Sequence, residues 1–270
     1  MLSGIFVEQI LRSGRSLEFL ILVVAAVTTL YYTWQAVKGN PQPLRELPQV
    51  AAISEGVDRA VETGMPLYAS PGDMAYLEGM YAPMTLAGMN VIRYAIRMAI
   101  QRGARVILPV PCNAGTMPLI DGIFREVAVA EGKPEAYRRE DVIWFGPDQA
   151  HHSMGLTAVI AREGCACAIF NGACRGGGTN SPIGWAREYG GLVIGGTARL
   201  LHQGSWAMLS DYPCFMDDVY AMGAECSGDD IVKSAQVGGD VTKLVLFAMV
   251  IIVSALAIAV GQPVLDALLL

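Results

Sequence analysis

One run in this chain concentrates residue types that could do chemistry: Asn171-Gly-Ala-Cys174-Arg175-Gly176-Gly177-Gly178-Thr179-Asn180-Ser181. It follows an apolar stretch, Cys165–Phe170, and leads into Ser181-Pro182, an N-cap residue followed by a proline suited to a first helical turn. That grammar predicts strand, glycine-rich loop and helix. Consecutive glycines let backbone N–H groups approach a ligand, a helix N-terminus favours negative charge, and Arg175 adds a fork of donors. A phosphate or carboxylate is the ligand such a loop suits, with Asn171, Arg175, Gly176, Gly177, Gly178, Thr179, Asn180 and Ser181 as candidate binding residues. The named phosphate fingerprints fail, however. No lysine follows the glycines, and Ser181 stands where the dinucleotide motif needs Gly or Ala. The competing reading is close packing of the glycines against another loop or chain, and it is preferred.

The remaining chemistry-bearing residues are sparser. Cys112, Cys174 and Cys214 fall in or near loops after expected strands, and the first two precede helices, where a thiolate is stabilised. They are the reactive-thiol candidates. Cys165 and Cys167 are expected on one face of a strand as small buried hydrophobes. His151 and His152 are adjacent and do not form the i,i+3 or i,i+4 pair of a helical metal site. Capping or core packing suits them, with a general base paired to Asp148 or a cysteine as the alternative, and His202 reads as structural. Asp217-Asp218 and Asp229-Asp230 read as helix starts. No metal set, cofactor or complete catalytic set emerges.

The elements that must position these residues sit between two apolar runs. Phe19–Val37 is nineteen residues without a charge and Leu244–Gly261 eighteen, each long enough to cross a bilayer. Tyr31, Tyr32 and Trp34 suit an interfacial belt. Glu8 and Glu18 precede or open the first run and no small-residue cleavage site follows it, so it reads as an uncleaved anchor. The expected organisation is an interfacial segment at 1–16, a span at 17–37, a proline-rich linker at 38–52, an α/β domain at 53–241, a second span at 242–262 and a tail at 263–270. Residues 39–241 carry 15 Lys+Arg against 22 Asp+Glu, a net of −7, which gives no electrostatic reason to bind nucleic acid. Lys38, Arg45, Lys233 and Lys243 flank the spans on the domain side against Arg12 and Arg15 on the other. By the positive-inside rule the domain lies in the cytosol, at the cell membrane.

Within the domain, short apolar runs alternate with helical stretches. Strands are expected at 66–69, 105–110, 142–145, 165–170, 192–194 and 206–209. Helices are expected at about 55–63, with Ser54 as cap, and at 84–102, 116–131, 147–163, from 181, from 197, and at 216–224. Alternation of this kind predicts parallel βαβ units and a Rossmann-like three-layer sandwich with a mostly parallel sheet, flanked by the two transmembrane helices. Pro109 within the second run points to an edge strand.

Four further stretches carry a resemblance: Ile53–Gly64, Glu131-Gly-Lys-Pro-Glu-Ala-Tyr137, Gly195-Gly-Thr-Ala-Arg199 and Ala221-Met-Gly-Ala-Glu-Cys226. Over residues 50–260 the chain resembles a family of bacterial and archaeal membrane proteins with an uncharacterised α/β domain between two terminal spans. The resemblance implies that architecture and assigns no activity, so it supplies no catalytic residue. The triplet Gly176–Gly178 departs from the family pattern.

Together these features favour a membrane-anchored scaffold or self-assembling subunit whose partners are the lipid bilayer and either further copies of itself or another membrane-complex component. The alternative is an enzyme or sensor taking an anionic small molecule at 171–181. Thiol chemistry is the third.

Overall fold

The computed structural model describes residues 16–260, so the expected segment at 1–15 and the stretch 261–270 lie outside the described residues. Two compact units result, one of residues 45–228 and one that includes the two long terminal helices.

In the terminal unit, α1 (Ser16–Val37) and a second helix (Asp230–Val260, the last in the chain) are both long and apolar enough to cross a membrane. They pack antiparallel, with a close approach where Thr28, Thr29, Gly238 and Thr242 meet. Thr28 and Thr242 share a 2.6 Å hydrogen bond, and a Cβ on Gly238 would press against the Thr29 backbone. Small residues and hydroxyls of this kind let two helices approach where apolar burial supplies no driving force. The last helix starts twelve residues ahead of the expected span because 230–241 continues the same helical ladder with polar residues.

The α/β unit follows the chain as α2 (Pro48–Thr63), β1 (Leu67–Ser70), α3 (Ala82–Arg102), β2 (Val106–Val110), α4 (Met117–Ala130), β3 (Val142–Trp144), α5 (Gln149–Glu163), β4 (Cys167–Gly172), α6 (Gly176–Glu188), β5 (Leu192–Thr197), α7 (Gln203–Leu209), β6 (Tyr212–Phe215) and α8 (Asp218–Ser227). The last helix is therefore α9. All strand pairs are parallel, in the order β3-β2-β1-β4-β5-β6. This is the doubly wound order, with a switch point between β1 and β4. Helices α2, α3, α4 and α8 cover one face, and α5, α6 and α7 the other. Strands β1, β2, β4 and β5 are buried along their whole length, which is why they read as continuous apolar runs rather than alternating ones. Tyr68, Ile107, Phe170, Val193 and Trp206 anchor the core beneath α5–α7.

Several sequence expectations are corrected. The glycine run is not a loop. Helix α6 begins at Gly176, and Ser181-Pro182 lies inside it rather than at its start. A proline there forfeits the bond to the residue-178 carbonyl and crowds it. Trp206–Leu209 is helix α7, not a strand. Trp206 is buried while Met208 is exposed, and four apolar residues are too few for period alone to separate helix from strand. The sixth strand is Tyr212–Phe215, hidden in sequence by Pro213 and tolerated because β6 is an edge. Pro109, by contrast, lies in an interior strand. Pairing of β2 with β1 ends at Ile107, so the missing N–H interrupts nothing on that side, and Ser70 Oγ donates to the Pro109 carbonyl at 3.0 Å. Helix α2 starts at Pro48 rather than after Ser54. Because β4 begins at Cys167, the two neighbouring cysteines separate: Cys165 joins the core beneath α5–α7, and Cys167 packs under Gly56 of α2 on the other face.

At the amino ends of the strands, Arg105 holds β2, the turn before β3 and the end of α5 together. Its guanidinium donates to both oxygens of Asp141 (2.7–3.2 Å) and to Glu163 at 2.9 Å. Asp141 is buried, whereas Arg105 is about a third exposed, which screens the pair. Arg105→Met should lower unfolding stability in urea by about 2 kcal/mol, below the ~3–5 kcal/mol of a fully buried pair. Arg105→Lys should recover only part of that, because an ammonium cannot fork to two carboxylates.

Candidate functional site

Ligands of open parallel sheets collect outside the carboxyl ends of the strands, beside the switch point. Here that means the loops after β1 and β4. Their backbones are stitched together: Ala173 N–H donates to the Pro71 carbonyl at 2.9 Å, and Met74 N–H donates to Ala173 at 3.0 Å. Gly72 sits at φ +101°, and a Cβ there would enter the Ala173–Cys174 backbone, so glycine is required by both conformation and space.

The side chain at the centre of this seam is Asp73, fully buried. One carboxylate oxygen accepts the Arg175 backbone N–H at 2.6 Å, at the cap position of α6. The other accepts Gln149 Nε2 at 2.6 Å, from the first turn of α5. Its main-chain carbonyl accepts Cys112 N–H at 2.9 Å. Loops after β1, β2, β3 and β4 thus converge on one residue. Burial pushes the Asp73 carboxyl up to about 6, and the hydrogen bonds from Arg175 and Gln149 and the Arg175 charge limit the rise. Asp73 and Gln149 were not among the sequence candidates. The available signal was Pro71-Gly72-Asp73, an acid placed directly after a strand-ending turn.

The glycine run is explained around this carboxylate. A Cβ on Gly178 would collide with the Asp73 carboxylate, and one on Gly176 would crowd Asn180 and His202 at 3.2 Å. Asn171 is buried and donates to the Val219 carbonyl at 3.1 Å, on the α8 side. Thr179 is buried and bonds back to the Arg175 carbonyl, Arg175 and Asn180 are partly buried, and Ser181 is exposed on the helix. Gly177 lies in the first turn of α6. The candidate set therefore divides among the seam, the α8 contact and the helix surface rather than lining one pocket.

The thiol candidates are all buried. Burial, with the carboxylates of Asp73 and Asp148, pushes Cys112 up to about 12. Cys174 and Cys214 are raised as well, chiefly by burial. Each is held as the thiol at neutral pH. His151 is exposed, with its ring on Asp148 at 2.6 Å, while Asp148 caps α5 by accepting the His151 N–H at 3.0 Å. His152 is buried against Phe145, and burial lowers it to about 4. Among the described residues no group of three His, Cys, Asp or Glu side chains is placed to hold a metal ion.

Beside the seam, the carboxyl ends of β1–β3 border a shallow, open cleft of about 580 Å³, lined by Met74, Tyr76, Cys112, Asp148 and Gln149 among others. Gln149 belongs to both the cleft wall and the Asp73 contact.

Residues 7–268, nearly the whole chain, match the family of a domain of unknown function, DUF6754. The chain belongs to this family. No curated protein and no solved structure matches it. In this DUF6754 domain, the feature the geometry singles out is accordingly the buried Asp73 cluster and the cleft above Gln149.

Asp73 and His152 have opposite effects on stability. Asp73 is raised from 3.8 to about 6 on folding, so its contribution is full below pH 4 and is lost as pH rises through 6. His152 is lowered from 6.5 to about 4, so its contribution is present above 6.5 and is lost as pH falls through 4. Each amounts to about 3 kcal/mol across its window. Asp73→Asn should therefore be more stable than wild type at pH 7.5, and by less at pH 4. Chemical unfolding at the two pH values measures the difference.

Proposed function

We propose that this chain is a membrane-tethered α/β domain that binds a small molecule in the cleft at the carboxyl ends of β1–β3 and senses its occupancy through Gln149 and Asp73. The observation that carries this is the placement of an ionisable carboxylate, buried at the switch point, one side chain away from an open cleft. Burying a carboxylate without a charge partner destabilises the fold, and perturbed groups of this kind collect at working sites. Since Gln149 touches the cleft and Asp73 ties its own loop to three other segments, a ligand that moves Gln149 alters the seam. Anion binding at 171–181 is disfavoured by Asp73, whose carboxylate takes the Arg175 N–H that an anion would need. Thiol chemistry is disfavoured by the raised thiols. Tethering is supported by the two helices long and apolar enough to cross a membrane, and the flanking basic residues favour a cytosolic domain.

A thermal-shift panel of neutral, cationic and anionic small molecules on the full chain in lipid nanodiscs tests binding. A ligand at about 100 times its Kd should raise Tm by about 5–10 °C. Ala150→Trp, which fills the cleft from the exposed first turn of α5, should abolish the shift. Stabilisation that survives Ala150→Trp places the ligand elsewhere.

Self-assembly has its own supporting observation. At the same end of the sheet, Met80, Leu200 and Leu201 are 71%, 75% and 83% exposed, with Leu77 and Met216 also exposed. The segments that carry Met80 and Leu200–Leu201 are tied by Arg199, which donates to the Tyr81 hydroxyl. Exposed apolar groups clustered on loops mark interaction surfaces. The paired change Leu200→Glu, Leu201→Glu should lower the oligomer mass of nanodisc-reconstituted protein in mass photometry. A wild-type chain that is already monomeric removes this second role.

A further inference from the structure

The chemistry of the cleft wall narrows the ligand class. No lysine or arginine lines it. Its charged wall residue is Asp148, whose carboxyl the His151 N–H and ring hold below the usual carboxylate range, so it is ionised at neutral pH. Behind Gln149 lies a second carboxylate, Asp73. An anion entering here would meet two like charges and no counter-charge on the wall. The neutral residues point the same way. Tyr76 is half-buried and offers an aromatic ring, Met74 a polarisable thioether, and Cys112 a thiol that stays protonated. With its amide nitrogen committed to Asp73, Gln149 retains its carbonyl oxygen as an acceptor.

We propose that the cleft takes a small organic cation, an amine or quaternary ammonium compound, held between the Tyr76 ring, the Asp148 carboxylate and the Gln149 carbonyl. This rests on the cleft being the ligand site and adds its chemical class. A volume of about 580 Å³ accommodates such a compound with an attached chain or ring.

The arrangement links binding to a proton. A cation beside Gln149 favours the ionised form of Asp73, so Asp73 gives up its proton as the cleft fills. The other groups facing Asp73 leave this sign intact. Arg175, from the cap of α6, lowers Asp73 through its charge and adds to the same direction. Cys174, before α6, and Cys112, after β2, remain neutral thiols. Near pH 6 Asp73 is about half protonated in the empty protein, so binding there releases protons to the buffer, and affinity falls as the pH is lowered.

Titration calorimetry on the full chain in nanodiscs tests this with choline, putrescine and tetramethylammonium, and with inorganic phosphate and acetate as anionic counterparts. At pH 6, two buffers of different ionisation enthalpy count the protons. The expected result is amine binding with net proton release, and affinity about five-fold weaker at pH 5 than at pH 7. Asp148→Asn keeps an oxygen to cap α5, so it preserves the fold while reducing amine affinity about five-fold. Tyr76→Ala should also reduce it. Binding of phosphate or acetate in preference to every amine overturns the cationic class and leaves the cleft as a ligand site. Amine binding indifferent to both Asp148→Asn and Tyr76→Ala overturns the assignment to this cleft. Binding of no probe, with no hit in the broader panel either, overturns the inference together with the binding function it rests on.

Discussion

The carboxylate of Asp73 is the constraint around which the carboxyl end of the sheet is built. Placed at the switch point and shut off from water, it must find donors within the protein, and it finds the Arg175 backbone N–H and the Gln149 amide. Those two bonds determine much of what surrounds them. Helix α6 starts where its first turn can present an N–H to the carboxylate. Gly178 is bare because a side chain there would occupy the same volume. In many doubly wound domains this position receives a ligand's phosphate at a helix N-terminus. Here the protein supplies the anion itself. The helix dipole then stabilises an internal charge, and the open volume lies instead between the loops of β1–β3.

That arrangement matters energetically. Neither Arg175 nor Gln149 brings a formal charge into direct contact with the carboxylate, since the first donates through its backbone and the second is neutral. Asp73 is therefore stabilised by hydrogen bonds but remains burdened by desolvation, which is why its proton is held to about pH 6. A group balanced in this way responds to modest changes nearby. The strongest such change available is charge or displacement at Gln149, the donor to the Asp73 carboxylate that also lines the cleft. His152, deep under α5 and neutral throughout the physiological range, offsets the acid-side stability trend that Asp73 produces and does not share its access to the cleft.

At the other end of the sheet the physics is ordinary. Arg105 meets two carboxylates at the amino ends of β2 and β3, and its charges are satisfied within the protein. A cavity of about 290 Å³ lies there too, with Arg105 and Asp141 among its walls, but Arg105 is already engaged. The contrast between the two ends is one of satisfaction: paired charge at the amino edge, an uncompensated acid at the carboxyl edge.

Alternating apolar runs and helical stretches determined the α/β class, the parallel sheet and most of its strands, because fully buried strands must be apolar on both sides. The two terminal runs likewise determined long helices by length and composition alone. Local grammar failed where tertiary contacts outvoted it. Ser181-Pro182 carries the marks of a helix start, yet the start moved to Gly176 because Asp73, one hundred residues away in the chain, supplies the partner for the Arg175 N–H. The run at 206–209 was too short for periodicity to separate strand from helix, and only packing of Trp206 into the core decided it. Pro109 carries the mark of an edge strand, yet the register of β1 against β2 leaves its missing donor harmless in the interior. Most of the candidate site was illegible for the same reason. Asp73, Gln149 and Cys112 lie on three separate segments, two loops and the start of α5, and an acid after a Pro-Gly turn looks like any solvated turn residue until the fold buries it. Residue types at local spacing report what one segment prefers. Which side chains lose their water and must find donors is decided only when distant loops are brought together.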